Sequence, residues 1–405
     1  MFRPLLLATA GLLALATAGA TQAADLDAKA VHARVLVLDS HADVPQDLGV
    51  GAHEAAVDGD GQVDLPKLER GGVDAAVLAV FVSQGPRTPE GYAKARKDVD
   101  AKLAAIRGIA ERHPDRAVLA LKAADVEAAA KTGKRAIIVG FLNAYPFGED
   151  LAPIDAYYAA GVRRFGFVHA GNNAFADSSR PSGGTKVEWG GLSPLGKQAV
   201  TKLNDLGVII DVSQLTPDGV KQVLALSRAP VVASHSGVQG VVDSPRNLSD
   251  AELDAIAAKG GVVQIVAFGP YLVKPGSDFP PKVAALRAQY ALPVAYVRPA
   301  DGTETLTPEK RLDYSHAVNA LLPKATVKDL ADSVDYAVKR VGIDHVGLSS
   351  DFNHGGGVVG WSNEGEAANV TAELVRRGYS EDDIGKLWGG NYLRVFRAVE
   401  KAAKR

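Results

Sequence analysis

Val35-Leu36-Val37-Leu38-Asp39-Ser40-His41-Ala42-Asp43 is the stretch on which the fold turns. A short, continuous apolar run rich in β-branched residues reads as a strand buried on both faces. Here it runs straight into a cluster of Asp, Ser and His. Seven further runs of the same kind follow: Ala75–Val82, Ala136–Phe141, Arg164–Val168, Val208–Val212, Pro230–Ser234, Val262–Ala267 and His345–Ser350. With Val35–Asp39 they make eight predicted strands. Helical patterns lie between them, at Gly91–Ile109, Ile154–Ala160, Pro194–Leu206, Pro217–Leu226, Asp250–Lys259 and Val327–Val341. Alternation of this kind predicts an α/β fold, a (β/α)₈ TIM-type barrel forming one domain over residues 25–405. An open doubly wound sheet is the competing arrangement. Asn172–Gly191, polar and Gly-rich, and Gly269–Asp301, rich in Pro, Tyr and Lys, fit no minimal barrel. Long irregular segments in compact domains tend to be lids or rims, so both are expected to be loop insertions around the site.

Residues 1–24 stand apart from this pattern. Arg3 precedes an apolar stretch from Leu5 to Ala18, and small residues follow. That is the layout of a secretory signal peptide, and the apolar stretch is too short to be a comfortable membrane anchor. The expectation is an exported protein, periplasmic or extracellular, with no stable membrane span after cleavage. The chain has no Cys, which excludes a disulfide framework, a thiolate nucleophile and an iron–sulfur cluster. Any metal must be held by His, Asp or Glu. With 45 Lys+Arg against 47 Asp+Glu and no basic face, no nucleic-acid partner is expected.

In a parallel barrel the chemistry sits at the C-terminal ends of the strands. Side chains two apart on an extended segment point the same way, so His41 and Asp43 are expected to face one point at the barrel mouth. A His and a carboxylate suit zinc. The last strand adjoins the first in a closed barrel, which brings Asp351 beside them. His235 and His169 follow two other strands. A lone His after a strand is ordinarily a hydrogen-bonded loop residue. Convergence at one end of one barrel makes a metal site the better reading. His32, His53, His113 and His345 read as structural.

Other motifs fail. Ser234-His235-Ser236 reads as no Ser–His dyad, because adjacent strand residues point apart. No Gly-x-Ser-x-Gly elbow occurs. His53-Glu54-Ala55-Ala56-Val57 lacks the second His of a zincin. Gly355–Gly360 matches a dinucleotide fingerprint in letters alone, and reads as a flexible rim beside Asp351.

Taken together, several motifs resemble the renal (membrane) dipeptidase family. They are Leu38–Asp43, Val63-Asp64-Leu65-Pro66-Lys67-Leu68, Ala160-Gly161-Val162-Arg163 leading to His169, and Leu192-Ser193-Pro194-Leu195-Gly196-Lys197. Ser227-Arg228-Ala229-Pro230 leading to Ser234-His235-Ser236, Pro245-Arg246-Asn247, His345–Phe352 and Gly389–Val395 complete the set. The resemblance implies a (β/α)₈ metallopeptidase that cleaves dipeptides and tolerates a C-terminal D-residue. It implies a two-zinc site in which His41 and Asp43 match ligands of the first ion and His235 a ligand of the second. It gives Asp351 the acid/base role beside the metals. His169 matches the histidine that contacts substrate and supports the oxyanion, and Arg246 the arginine that takes the substrate carboxylate.

Two positions depart from the family pattern. Leu142, with Asn143 next to it, stands where the bridging glutamate belongs. Gln214 stands where the other histidine of the second zinc belongs. A neutral amide is a much poorer zinc ligand than imidazole or carboxylate. The expectation is therefore an atypical site with one zinc held by His41, Asp43, His235 and Asp351, two ions remaining an alternative. Asn143 and Gln214 are left to hydrogen-bond a metal-bound water, and His354 is a further ligand candidate. The resemblance also implies a homodimer. The alternatives are a dipeptide-binding protein of impaired catalysis, and a hydrolase of another small amide or lactam.

Overall fold

The computed structural model describes residues 26–45, 48, 54–180, 187–292, 306–307, 310, 313–314, 317–318 and 320–404. The expected leader, residues 1–24, and His53 lie outside them. Nine strands are present among the described residues: β1 (Leu38–Asp43), β2 (Ala75–Phe81), β3 (Ala117–Leu119), β4 (Arg135–Leu142), β5 (Val162–Gly166), β6 (Ile209–Asp211), β7 (Val232–Ser236), β8 (Val262–Val266) and β9 (Val346–Ser349). Eight of them follow one another around the sheet in the order β1-β2-β4-β5-β6-β7-β8-β9, all parallel. The short β3 pairs with Arg135–Ile137 at the start of β4, below the point where β5 takes up the same edge. It has no counterpart among the eight expected strands.

The sheet closes nearly completely. Just past β9, Phe352 bridges Ala42 in β1, Asp351 N donates to His41 O at 2.9 Å, and Asp43 N donates to Phe352 O at 2.8 Å. This is the barrel expected, with a correction at its start. The first strand lies three residues later than Val35–Asp39, so His41 and Asp43 are strand residues and do not follow the strand. Apolarity misplaces it because β1 is buried throughout although four of its six residues are polar.

The helices begin where the chain supplies caps. Ser193 and Thr216 cap helices 194–206 and 217–226, each with Pro at the first helical position, and Thr326 forms a capping box with Asp329 at the start of helix 327–341. The last long helix, Asn391–Ala402, buries Tyr392, Leu393, Val395, Phe396 and Val399. They pack with Leu38, Ala75, Ile209, Val232 and Val262, the first residues of five strands, and plug the N-terminal end of the barrel. The open end is the C-terminal one. There, the described part of the expected insertion, residues 269–292, is less irregular than expected: Gly269–Leu272 and Phe279–Gln289 are helical, and 293–301 lie outside the described residues. No helix among the described residues is long and apolar enough to cross a membrane.

Candidate active site

At the open end, a cavity of about 570 Å³ reaches down to the strand tips. Its floor is His41, Leu142, His169, Gln214, His235, Arg246, Asp351 and His354, and one wall is Phe268, Tyr271, Phe279 and Val283. A cavity of this size is ordinary for a small-molecule site.

Three donors meet in the floor. Ligand atoms of His41 (β1), His235 (β7) and Asp351 (after β9) lie within 4.8 Å of one another, and all three residues are buried. His41 Nε2 is 3.5 Å from Asp351 Oδ1 and 3.8 Å from Asp43 Oδ1. The His41 and His235 rings stack at 4.0 Å between centroids. Asp351 reaches this place by a left-handed backbone, φ 55°, which Asp tolerates better than most residues. The chain then turns back so closely that a Cβ on Gly356 would lie 2.1 Å from Ser350 O. The Gly-rich segment expected as a flexible rim is pinned: Gly356 N donates to Asp351 O at 2.9 Å and Gly357 N to Ala267 O at 2.7 Å.

Burial dominates the electrostatics. It pushes His41 and His235 well below the usual imidazole range, helped by His235 and Arg164 at His41, and by Arg246 and Arg164 at His235. Burial likewise holds His169 neutral, with the positive charge of His354 and Arg180 adding to it. Burial pushes Asp351 up to about 7, against the pull of His354 and with the push of Asp43. His354 goes the other way. Burial opposes its charge, but Asp43, hydrogen-bonded to Nδ1, and Asp351 outweigh that and push it up to about 9.

The expected site residues do converge, with qualifications. Asp43 stands at the edge of the donor set: Oδ2 is taken by His354 Nδ1, and Oδ1 is buried without a hydrogen-bond partner. His169 lines the cavity with its ring 4.5 Å from Phe81 and 4.9 Å from His354. Arg246 Nη1 donates to Ser213 O, Nη2 donates to His235 O at 3.1 Å, and Nε is buried without a partner. Tyr271 lies across the guanidinium at 5.4 Å.

Two readings need correction. Asn143 is not placed to hold a metal-bound water, because its amide is spent on Val82 O, Tyr145 N and Asn173 Nδ2. Ser234 and His235 do not point apart: Ser234 Oγ is 2.7 Å from His235 Nδ1, at an irregularity in the pairing of β7 with β8. That hydroxyl also donates to Asp211 Oδ2 at 2.5 Å, which makes it part of the site's support. The structural reading of His32 stands, since its ring nitrogens are used by Thr371 Oγ1 and Gly71 O, but the residue that engages His41 from behind, Arg164, carries no signal in the sequence.

The donor set fits one divalent ion. Two imidazoles and a carboxylate are a zinc-type set, and the buried His41 Nε2 and Asp43 Oδ1 are both without hydrogen bonds at the same spot. A second ion finds no such set among the described residues. Leu142 offers only carbon, and Gln214 turns its amide nitrogen to His235 Nε2 at 2.9 Å.

Comparison with known proteins identifies the family. The family model "Membrane dipeptidase (Peptidase family M19)" matches residues 26–405. Dipeptidase tcpJ of Claviceps purpurea (strain 20.1) is 28% identical over 352 residues, covering 85% of this chain and 70% of that protein. The crystal structure of the probable dipeptidase PvdM from Pseudomonas aeruginosa superposes with a TM-score of 0.85 at 46% identity, covering 93% of this chain and 98% of that one. A metallo peptidase from Rhodobacter sphaeroides, solved with a phosphinate mimic of L-Ala-D-Ala, has a TM-score of 0.69 at 20% identity over 90% and 99% of the two chains. That last likeness speaks for the fold alone.

Proposed function

This chain belongs to the membrane dipeptidase family of metal-dependent hydrolases, and from that premise we propose that it is an exported dipeptidase working with a single zinc ion. The observation that carries the single-ion reading is the convergence of His41, His235 and Asp351, with Leu142 and Gln214 where further ligands would stand. The leader-like residues 1–24 support export. Tolerance of a C-terminal D-residue and assembly as a homodimer follow from the family resemblance and belong to the same proposal.

The ion would be held by His41, His235 and Asp351, with Asp43 Oδ1 beside them. Bound there, it supplies a Lewis acid for the scissile carbonyl and lowers the pKa of a water molecule. The side chains do the rest. Asp351, beside the ion, can take a proton from the attacking water on one carboxylate oxygen and return it to the leaving amine. Neutral His169, in the cavity floor, donates a ring N–H to the developing oxyanion. Arg246 offers the free Nε–H to the substrate's terminal carboxylate, while Ser213 O and His235 O fix its plane. Phe268, Tyr271, Phe279 and Val283 wall off water.

The experiment is hydrolysis of an L-Ala-D-Ala type dipeptide alongside metal analysis of protein purified without chelator. Turnover with about one zinc per chain is the expected result. A His41→Ala, Asp43→Ala double variant that still cleaves at the normal rate overturns the reading. The altered ligand positions Leu142 and Gln214 favour one second reading, binding of dipeptides without turnover. It requires ligand binding by zinc-loaded protein that yields no product.

A further inference from the structure

The two stacked imidazoles in the floor carry their protons on opposite nitrogens. Gln214 Nε2 donates to His235 Nε2, which places the His235 proton on Nδ1, where it meets Ser234 Oγ. His235 therefore has its lone pair on Nε2, where it accepts from Gln214. His41 is arranged the other way. Arg164 Nη2 donates to His41 Nδ1 at 2.7 Å. A guanidinium is always charged and has no acceptor, so Nδ1 must be the lone-pair nitrogen. In neutral His41 the proton then sits on Nε2, the atom facing Asp43 and Asp351.

We propose that Arg164 is a positioning residue that holds His41 in its Nε2–H form and thereby weakens this chain's grip on its metal ion. The proposal rests on the reading of His41 as a ligand. A metal-ligating histidine ordinarily gives its other N–H to a carboxylate or carbonyl, which frees the coordinating lone pair and raises its basicity. Here the outer partner is a donor, which does the reverse. Coordination through His41 Nε2 has to release that proton to solvent or break the Arg164 bond. The guanidinium charge also opposes an incoming cation across a buried, weakly screened path.

Arg164 is built into this position. It is fully buried; Nη1 donates to Ser40 O at 2.7 Å, and Nε lies 3.6 Å from Asp211 Oδ2. On β4, Gly140 stands opposite Arg164 in the strand register. A Cβ at residue 140 would lie 2.5 Å from Arg164 Nη2, so the glycine leaves room for the guanidinium. Two residues on neighbouring strands thus make one device.

The test uses the full mature chain stripped of metal. Zinc affinity is measured by competition with a chromophoric chelator for the wild type, Arg164→Met, Arg164→Lys and Gly140→Ala. Long-range ¹H–¹⁵N spectra of the imidazoles report the His41 tautomer without any metal. Arg164→Met should bind zinc about 10- to 100-fold more tightly, the range over which outer-shell partners act. Gly140→Ala, which pushes the guanidinium aside, should move the same way, and Arg164→Lys should stay near wild type. In the spectra, wild-type His41 should carry its proton on Nε2 and lose that preference in Arg164→Met. Equal zinc affinities in folded wild type and Arg164→Met overturn the proposal. So does Nδ1–H in wild-type His41, even if Arg164→Met fails to fold. Absence of zinc binding in every variant defeats the metal reading beneath it, and the spectrum then decides the tautomer by itself.

Discussion

His354 closes on Asp43 through Nδ1, joining the loop after β9 to the end of β1 in an ion pair beside the proposed metal ligands. The Asp43 side chain is 4% exposed and that of His354 28%, so the pair is largely withdrawn from water. Breaking such a pair from one side leaves an uncompensated buried charge. His354→Ala should destabilise the fold by about 3 kcal/mol, the low end for a buried pair because His354 keeps some solvent. Urea unfolding at pH 7 checks this, and an unchanged midpoint would show that Asp43 finds another partner.

The ion count should be open to redesign. Leu142→Glu and Gln214→His together restore the two ligand types that the family resemblance places there. Metal analysis should rise from about one zinc per chain towards two. A double variant that stays at one would mean that the floor, and not these two residues, limits the site.

Arg246 should matter for one end of the substrate only. Losing a buried charge pair costs about 2–5 kcal/mol, so Arg246→Met should lower kcat/KM on a free dipeptide by roughly 100-fold. On the same dipeptide with an amidated C-terminus, wild type and variant should differ little. Equal losses on both substrates would assign Arg246 to bracing Ser213 and His235 alone.

Far from the site, Glu373 predicts an acid-sensitive seam. Its ion pairs with Arg376 and Arg377 outweigh the cost of burial and hold it down at about 2, against an ordinary value near 4.5. Arg377 also pairs with Asp332 and Asp335, tying helix 368–376 to helix 327–341. A depressed folded-state pKa stabilises the fold fully above about 4.5, and the contribution disappears as pH falls through about 2. Glu373→Gln should therefore be less stable than wild type at pH 7 and approach it near pH 2. Thermal unfolding across this range checks the convergence, and a constant gap would count against the assignment.

How much of this was legible beforehand depended on what kind of residue carried the information. Helices 194–206, 217–226 and 327–341 are read to the residue from their helical patterns, and in the structure Ser193, Thr216 and Thr326 cap their starts. The barrel is legible because its strands are continuous apolar runs. β1 is misplaced because it is a buried strand made largely of site residues, whose polarity hides it. β3 is missed because three residues pairing at one edge leave no periodicity. His41, His235 and Asp351 are found because strand ends are where a barrel keeps its chemistry. The Arg164–His41 bond is out of reach, since nothing local marks an arginine that points into a barrel.

The seam between β9 and β1 also bears on when the enzyme can act. His41 is synthesised well before Asp351, and the backbone bonds that bring them together also close the barrel. A chain interrupted anywhere before residue 351 lacks a member of the donor set and has no finished barrel. The earliest moment of hydrolysis is then the completion of the fold, so an unfinished or still-unfolded chain cannot cut peptides.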